Sequence, residues 1–347
     1  MKLILVCADS DFGFTNQIFY FISSILLAHK NKQKVVVAPD LFDTTNKKWY
    51  NDMFNLNKIN EYLKKYDILL INKYTNKFRI DRVVYGIDND IVDLTHEITC
   101  QFYQNNVLRI PKETNFNDFK GDPVKGEYKK LTIDYSINGR AFSETYDECL
   151  TEDIEFNCQK FDPIYEFWIN AIDRTMFDDI LKNIYFNDRF HTIRNDFLQT
   201  IDDDATINVI HLRVEPDVSW WASQNNMSHE EFKEYLEHKY IGLIEKYIKK
   251  SDDNIIVSYC TENPVLDYMK NNGYKYRCTE KTEPGRELNA IVDLLISTAC
   301  NNIFIGNFNL ETLNGSTFSY YISTLLDTKV KRIMIDVDHI RNEEQIT

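Results

Sequence analysis

The chain has 347 residues, more than one domain usually contains, so its length predicts two domains that each bury a core. Its formal net charge of -14 excludes a general nucleic-acid surface, because binding many phosphates needs a broad excess of Lys and Arg. The seven cysteines are scattered, with no C-x-x-C pair and no histidine at zinc-ligand spacing. They indicate free thiols in a reducing compartment rather than a disulfide framework or structural zinc.

The chain opens with the pattern of a βαβ unit. A buried strand from Leu3 to Cys7, a helix from about Asn16 to Lys30 with Thr15 as its N-cap, and a strand from Lys34 to Ala38 predict a parallel sheet. The opening apolar run is too short for a signal peptide, and the sequence contains no run of about 18 apolar residues. We therefore expect a cytoplasmic protein without a membrane span.

The middle of the chain has a less regular pattern. Short strand-like pieces, such as Ile68 to Ile71 and Arg82 to Tyr85, precede a polar stretch from Asn115 to Lys130 that we interpret as a surface loop. Glu144 to Asp203 has a largely helical pattern, clearest from Phe161 to Phe197. The acidic run that ends at Asp204 marks the predicted boundary between an N-terminal domain, residues 1–204, and a C-terminal domain, residues 205–347.

The second half alternates strands and helices, which predicts a second parallel sheet. A capping box at Ser228 to Glu231 marks the start of one helix. In chain order we predict strand Ile207–Leu212, helix His229–Lys249, strand Asn254–Tyr259, helix Glu287–Cys300, strand Ile303–Ile305, helix Phe318–Leu326 and strand Arg332–Ile335.

The first candidate site is the turn from Asp11 to Gln17, between the first strand and the first helix. In a parallel sheet that turn lies at the carboxyl edge, where ligands bind. Gly13 permits close backbone approach, and the Asn16 amide can donate to and accept from a sugar or phosphate. The alternative is a capped helix start with nothing bound.

The second candidate lies at the end of an apolar strand that delivers His211 and Arg213. Arg213 can bind a diphosphate with two parallel hydrogen bonds and neutralise the charge that builds as a sugar–phosphate bond breaks. The alternative is that Arg213 pairs with Glu215 or Asp217, while His211 is a core imidazole.

The third candidate combines a strand end with a helix start. Gly306-Asn307 and, after a short insert, Ser316-Thr317-Phe318 provide a glycine turn, hydroxyls and backbone N–H groups in the order of an anion pocket. An ordinary Ser/Thr N-cap is the alternative. Upstream, Asp293 falls off the apolar stripe of its helix, so it is either a solvated residue or an acceptor for a guanine edge.

Other chemistry has little support in the sequence. Asp88-Asn89-Asp90 has the Asp-x-Asp form of manganese-dependent glycosyltransferases, but it lacks a clear strand-end context. Motifs of serine hydrolases, P-loop nucleotide-binding proteins and dinucleotide-binding dehydrogenases are missing. We therefore predict no metal site.

The three candidates occur in an order that resembles the GDP-fucose-dependent fucosyltransferases, particularly the protein O-fucosyltransferases. Phe12 to Gln17 looks like that family's N-terminal Gly/Asn-Gln loop, and His211-Leu212-Arg213 looks like its His-Leu-Arg segment. Asp293, Phe304 to Asn307 and Ser316 to Ser319 look like its donor-binding segment. The insert from Phe308 to Asn314 and the single glycine in the opening turn depart from the family pattern.

The resemblance implies an α/β fold of the GT-B type, with two Rossmann-like lobes whose parallel sheets face a central cleft. It implies an inverting, metal-independent transfer of fucose from GDP-fucose to a glycan or protein hydroxyl, without a cofactor. Arg213 and Asn16 would be catalytic. From its place beside Asn16 in the first turn, and not from the resemblance, we take Asp11 as the catalytic general base, with Glu215 and Asp217 as rivals. The donor-binding residues would be Gly13, Phe14, His211, Asp293, Asn307, Ser316, Thr317 and Phe318.

Two alternatives remain open from the sequence. A related GT-B transferase would use GDP-rhamnose or a UDP-sugar as its donor. A non-catalytic sugar- or protein-binding module would keep the fold without the reaction.

Overall fold

The computed structural model describes residues 2–6, 13–38, 40–72, 78–104, 107–137, 140–161, 173–214, 219–258, 262–309, 312 and 314–337. The chain forms two compact units that each combine separate segments. The first unit contains Met1–Ala8, Tyr20–Pro39 and Leu56–Phe167, and the second contains Asp9–Phe19, Asp40–Asn55 and Trp168–Thr347. The domain boundary at residue 204 stays a prediction.

Seventeen strands lie in the described part of the chain. They are β1 Lys2–Val6, β2 Val35–Ala38, β3 Leu41–Asp43, β4 Lys48–Tyr50, β5 Leu69–Asn72, β6 Phe78–Ile87, β7 Asp90–Asp93, β8 Tyr103–Gln104, β9 Val107–Ile110, β10 Lys130–Ile137, β11 Arg140–Asp147, β12 Ile154–Phe161, β13 Ile207–His211, β14 Asp253–Val257, β15 Tyr276–Cys278, β16 Ile303–Gly306 and β17 Lys331–Met334.

Eleven α-helices accompany these strands in the same described ranges. They are α1 Phe14–Lys30, α2 Leu56–Leu63, α3 Thr95–Phe102, α4 Asn117–Lys120, α5 Arg174–Lys182, α6 Asp188–Leu198, α7 Ser219–Gln224, α8 His229–Tyr247, α9 Pro264–Asn271, α10 Arg286–Ser297 and α11 Thr317–Leu325. None of the helices described here is both long enough and apolar enough to cross a bilayer.

The first unit contains a six-stranded sheet in the order β5-β2-β1-β12-β9-β8. Strands β5, β2, β1 and β12 run parallel to one another. Strands β9 and β8 complete the sheet at one edge and pair in antiparallel fashion. The predicted βαβ opening is confirmed, with one correction. Helix α1 begins at Phe14, so Thr15 lies inside the helix, buried, and is not its N-cap.

A second, antiparallel sheet in the order β11-β10-β6-β7 is inserted between β5 and β12 of the first unit. In β10 the buried residues Leu131, Ile133, Tyr135 and Ile137 alternate with more polar ones, which is the period of a strand with one face on a core. The predicted loop from Asn115 to Lys130 holds the short helix α4 and then ends where β10 begins.

The predicted helical stretch from Glu144 to Asp203 is wrong in its first part. Glu144 to Asp147 belongs to β11, and β12 runs parallel to β1 as a strand of the main sheet. The apolar pattern of Ile154 and Phe156 is too short to separate a strand from a helix, so pairing with β1 decides the outcome. Helices α5 and α6 confirm the later part, and residues 162–172 lie outside the described residues.

The second unit is built on a five-stranded parallel sheet in the order β15-β14-β13-β16-β17. Its central strands β13, β14 and β16 are almost entirely buried, as expected for a parallel sheet with both faces covered. The predicted α/β class with a second parallel sheet is therefore confirmed. The hairpin β3–β4 and the short elements β15, α7 and α9 were not predicted.

Helix boundaries in this unit follow the local capping signals. Ser228 and Glu231 form the predicted capping box at the start of α8, with both reciprocal hydrogen bonds present. Helix α10 is buried around nearly its whole circumference, including the polar residues Glu287, Asn289 and Asp293. A helix in that position needs an internal partner for each polar group.

Candidate functional site

Three segments of the second unit bring most of the predicted site residues to the carboxyl edge of its sheet. Strands β13 and β16 are neighbours, with Ile210 opposite Ile305. His211 ends β13 and Asn307 follows β16, so both lie at the same edge, where ligands bind to parallel α/β sheets. Helix α11 starts at that edge as well, because the chain returns to it through Gly315 and Ser316.

His211, Ser319 and Asn307 form a hydrogen-bonded cluster at this edge. The His211 Nδ1 lies 2.6 Å from the Ser319 Oγ. The Ser319 Oγ accepts from the Asn307 backbone N–H at 3.1 Å and lies 3.3 Å from the Asn307 Oδ1. All three residues are buried, so the cluster is shielded from solvent competition.

Gly306 allows this cluster to form. A Cβ at position 306 would lie 2.8 Å from the Ser319 Oγ and 2.9 Å from the Phe304 ring. Both distances are shorter than the contacts that Cβ atoms make in proteins. Any residue larger than glycine would therefore push α11 away from the end of β16. The glycine therefore has a packing role that brings Ser319 to the strand end.

The opening turn joins the same cluster through the start of α11. The Thr317 Oγ1 donates to the Asn16 Oδ1 at 2.9 Å. The Phe318 ring lies 6.1 Å from the Phe14 ring and 5.1 Å from the imidazole of His211. Two segments separated by about 300 residues of sequence thus meet at this edge.

Gln17 and Ser316 have local structural roles. The Gln17 amide donates to the Phe42 carbonyl at 2.7 Å and accepts from the Phe42 N–H at 2.9 Å, which holds the start of α1 against the next segment. The Ser316 Oγ accepts from the Ser319 N–H at 3.4 Å as the N-cap of α11. The N-cap alternative for Ser316 is therefore present, and a further role in binding phosphate stays a prediction.

Arg213 lies half-buried two residues beyond His211. Its backbone N–H donates to the Tyr240 hydroxyl at 3.3 Å, and that hydroxyl donates to the His211 carbonyl at 2.7 Å. Tyr240 of α8 thus holds the segment that carries Arg213. The suggested partners Glu215 and Asp217 lie outside the described residues, as does Asp11.

The imidazole of His211 is neutral in this environment. Burial, together with the positive charges of Arg213 and Lys281, lowers the pKa of His211 to about 3. A neutral imidazole carries one proton, so one nitrogen donates and the other accepts. His211 therefore contributes a directed hydrogen bond and not a positive charge.

Asp293 is buried and paired, so the solvated alternative is wrong. Its Oδ2 accepts from the Lys281 Nζ at 2.7 Å, and its Oδ1 has no partner among the described residues. Burial raises the pKa of Asp293, and the charge of Lys281 opposes that rise. Lys281 follows β15 and also lowers the pKa of His211, so the pair lies on the same edge of the sheet.

A pair of acids, Glu287 and Asp43, lies at the start of α10. The Glu287 Oε1 accepts from the Thr44 hydroxyl at 2.8 Å, and the Asp43 carboxylate is close enough for its charge to act on Glu287. The Asp43 carboxylate also accepts from the Thr45 and Asn46 N–H groups at 2.8 and 2.9 Å. Burial raises the pKa of Glu287, whereas burial of Asp43 is outweighed by its hydrogen bonds, which lower its pKa. The two carboxyl groups therefore have pKa values shifted in opposite directions.

Gly285 permits the approach of these two acids. A Cβ at position 285 would lie 2.2 Å from the Asp43 Oδ2 and 2.7 Å from the Tyr50 hydroxyl. The Asn46 amide also donates to the Pro284 carbonyl at 2.9 Å. The hairpin β3–β4 is thus fastened to the start of α10 by hydrogen bonds and close packing.

The Asp-x-Asp motif lies in the hairpin turn between β6 and β7. Asp88 and Asn89 connect β6 to β7, and Ile87 pairs with Asp90 across the hairpin. Asp88 has a φ of 49°, as the first position of a tight hairpin turn requires. In the described ranges no cluster of three or more His, Cys, Asp or Glu side chains is arranged to hold a metal ion.

Sequence reasoning gave no role to the partners of the predicted residues. Ser319, Tyr240 and Lys281 each contact a predicted site residue or the segment that carries it. Ser319 lies one helical turn after the N-cap Ser316, so its position near the edge followed from the predicted helix start. The contacts of Tyr240 and Lys281 had no local signal.

Comparison with known proteins gives weak likenesses. No protein-family model matches the chain. POFUT1 without ligand has a TM-score of 0.48 and 12% identity to the chain, covering 96% of this chain and 98% of that structure. POFUT1 in complex with GDP-fucose has a TM-score of 0.45 and 10% identity over 96% and 97%. Fucosyltransferase NodZ from Bradyrhizobium has a TM-score of 0.46 and 12% identity over 93% of each chain.

The solved structures thus include the kind of protein that the sequence motifs resemble. At these TM-scores and identities, the likenesses assign neither an activity nor a residue role to this chain. A sequence relative is the envelope protein A28 homolog of Yaba-like disease virus, which is 26% identical over 108 residues, or 30% of this chain and 75% of the relative.

Proposed function

We propose that the chain is an inverting, metal-independent glycosyltransferase of the GT-B type that transfers fucose from GDP-fucose to a glycan or protein hydroxyl. The observation that carries the proposal is the meeting of Asn16 with Thr317 beside the cluster of His211, Ser319 and Asn307 at one edge of a parallel sheet. These residues come from the three separate motifs that resemble the family, which supports the proposal.

Each predicted residue has a role that suits a nucleotide-sugar donor. The Arg213 guanidinium binds the diphosphate and stabilises the charge that develops on it. The start of α11, with Ser316 and Thr317, provides N–H and hydroxyl donors to the same anion, and Phe318 packs against the base. Asp293 keeps an open carboxylate oxygen for the guanine edge.

The reaction forms one bond and breaks one. The acceptor oxygen attacks the anomeric carbon of the sugar while the bond from that carbon to the phosphate oxygen breaks, and GDP leaves with the electron pair. A base takes the hydroxyl proton of the acceptor. We assign that role to Asp11, which lies outside the described residues, with Glu215 and Asp217 as alternatives. Asn16 orients the reacting groups.

Calorimetry of the purified chain with GDP, GDP-fucose and UDP, in the presence of EDTA, tests this proposal. We expect GDP and GDP-fucose to bind with micromolar Kd values and UDP to bind at least tenfold more weakly. Selective binding of UDP would instead identify a UDP-sugar transferase. Binding of GDP without turnover of GDP-fucose would direct the search to GDP-rhamnose.

A non-catalytic binding module is the second candidate, favoured by the sequence relative named as an envelope protein. Such a module would keep the sheet edge as a surface for a glycan or protein. It predicts no binding of any nucleotide in the same calorimetry, together with a folded protein by circular dichroism.

A further inference from the structure

Ser319 lies at the centre of a chain of hydrogen bonds and has only one proton to donate to its neighbours. A serine hydroxyl donates one proton and accepts two. Three groups surround the Ser319 Oγ: the His211 Nδ1 at 2.6 Å, the Asn307 N–H at 3.1 Å and the Asn307 Oδ1 at 3.3 Å. The Asn307 N–H can only donate, so it uses one of the two lone pairs of the hydroxyl oxygen.

The orientation of the Asn307 amide decides where the hydroxyl proton goes. Its Nδ2 is buried and has no hydrogen-bond partner in the part of the chain that the structure describes. An anionic donor would supply the missing acceptor, because an amide NH2 donates to a phosphate or sugar oxygen. With the NH2 reserved for a ligand, the Asn307 Oδ1 faces Ser319 and must accept the hydroxyl proton.

We infer that Ser319 and Asn307 are positioning residues that hold His211 as the Nδ1–H tautomer. Once the Ser319 hydroxyl donates to Asn307, its second lone pair accepts from the His211 Nδ1–H. The imidazole is neutral, so the proton on Nδ1 leaves Nε2 as a hydrogen-bond acceptor. The inference rests on the proposed function only through the ligand that the Asn307 NH2 would meet.

The opposite tautomer leaves buried groups without partners. If Ser319 donated to the His211 Nδ1, the Asn307 Oδ1 would face a hydroxyl oxygen that offers it no proton. The Ser319–Asn307 contact is buried, so bulk water does not supply the missing proton. A buried acceptor without a donor is strongly disfavoured. With the Asn307 Oδ1 facing Ser319, as in the structure, the Nδ1–H tautomer is the one that satisfies every group around the hydroxyl.

The tautomer changes what the imidazole can recognise. An acceptor nitrogen binds a group that carries a proton and repels the oxygens of a phosphate. The diphosphate is therefore left to Arg213 and the start of α11, and His211 contributes orientation instead of charge. Ser319 acts on the ligand only through His211, and a matched residue is available in Ser323, a buried serine one turn further along the same helix.

Nitrogen-15 NMR of histidine-labelled protein without ligand tests the inference directly. The His211 resonances are assigned by their loss in His211→Gln. We expect the Nδ1–H pattern, unchanged between about pH 5 and about pH 8, because the lowered pKa keeps the ring neutral. In Ser319→Ala we expect loss of the pure Nδ1–H pattern, whereas Ser323→Ala keeps it.

Failure of this inference is distinct from failure of the proposed function. A proton on Nε2 in the unmodified protein would show that the Asn307 amide is turned the other way, and would overturn the inference even if GDP binds. An imidazolium pattern at neutral pH would overturn it as well. The Nδ1–H pattern in a protein that binds no nucleotide would support the hydrogen-bond chain and contradict the transferase. If Ser319→Ala does not fold, the spectrum of the unmodified protein still decides.

Discussion

The two edges of the five-stranded sheet in the second unit both carry polar residues, but they use them differently. At the amino edge, the Asn208 side chain makes four hydrogen bonds, to Asp252, Asn254, Asn302 and the N–H of Ile303. Asp253 at the same edge is bound by Lys275 at 2.6 Å and Arg277 at 3.3 Å. These contacts join four strands or their flanking turns to one another.

At the carboxyl edge, by contrast, buried polar atoms keep unused hydrogen-bonding capacity. The Asn307 Nδ2 and the Asp293 Oδ1 lack partners among the residues described, although the sheet beneath them is as well buried as at the other edge. An unpaired buried polar group destabilises a fold until a partner is supplied. The two edges therefore differ in how many of their polar groups have protein partners, and not in how many polar groups they carry.

Replacing Arg213 or Arg277 with alanine should give the largest difference between the two edges. We expect Arg213→Ala to lower kcat/KM for GDP-fucose by about 100-fold or more, because a charge that stabilises the leaving diphosphate is lost. The melting temperature should change little. Arg277→Ala, at the amino edge, should lower the melting temperature and leave kcat/KM within about twofold. Steady-state kinetics and thermal unfolding of both variants measure kcat/KM and the melting temperature. If Arg213→Ala turned over GDP-fucose as fast as the unmodified protein, Arg213 would not be catalytic.

Removal of the central amide at the amino edge should affect folding without affecting ligand binding. Asn208→Ala leaves several buried partners unsatisfied, so we expect the free energy of unfolding to fall by about 2–3 kcal/mol. Asn301→Ala, on an exposed neighbour that also bonds to this edge, should cost about 1 kcal/mol or less. Urea unfolding gives both values, and a similar cost for the two variants would contradict the central role of Asn208.

A smaller, pH-dependent effect is expected from the acids at the start of α10. Burial raises the pKa of Glu287 above 4.5, so its contribution to stability is complete below that pH and is lost as pH rises through the raised pKa. The lowered pKa of Asp43 has the opposite sign: its contribution is present above 3.8 and is lost as pH falls through the lowered value. Stability from this pair is therefore greatest in mildly acidic solution.

The variant Glu287→Gln tests the predicted direction in which stability changes with pH. The amide stays neutral, so the loss of melting temperature between about pH 5 and about pH 9 should be smaller than in the unmodified protein by a few degrees. Glu280→Gln, on an exposed residue near the same helix, serves as the control and should leave the pH profile unchanged. Parallel profiles for Glu287→Gln and the unmodified protein would show that Glu287 is already ionised when buried.

How far the sequence could predict this molecule depends on the range of the interactions. The strands of the second sheet and the start of α8 followed from apolar runs and from the capping box at Ser228, which are local signals. The alternation of Leu131, Ile133 and Tyr135 was also readable as a strand, yet β12 could not be separated from a helix without its partner β1. Pairing between distant strands is invisible in any short window.

The candidate site shows the same limit. Motif order indicated His211, Asn16 and Thr317, and the structure brings the last two into contact. The hydrogen bond from His211 to Ser319 joins residues 108 apart in sequence, so only the packing of α11 on β16 through Gly306 reveals it. The roles of Arg213 and Asp293 remain predictions because their charges have meaning only with a ligand in place.

The position of β1 has a consequence for how the chain folds during synthesis. The strand is made well before β12, yet it lies between β2 and β12, with Lys2 opposite Asn157. At typical elongation rates of about 5–20 residues per second, one side of this apolar strand waits roughly 8–30 s for its partner to leave the ribosome. The nascent chain therefore presents an open strand edge early, and we expect its yield to depend on chaperones that cover such edges until β12 arrives.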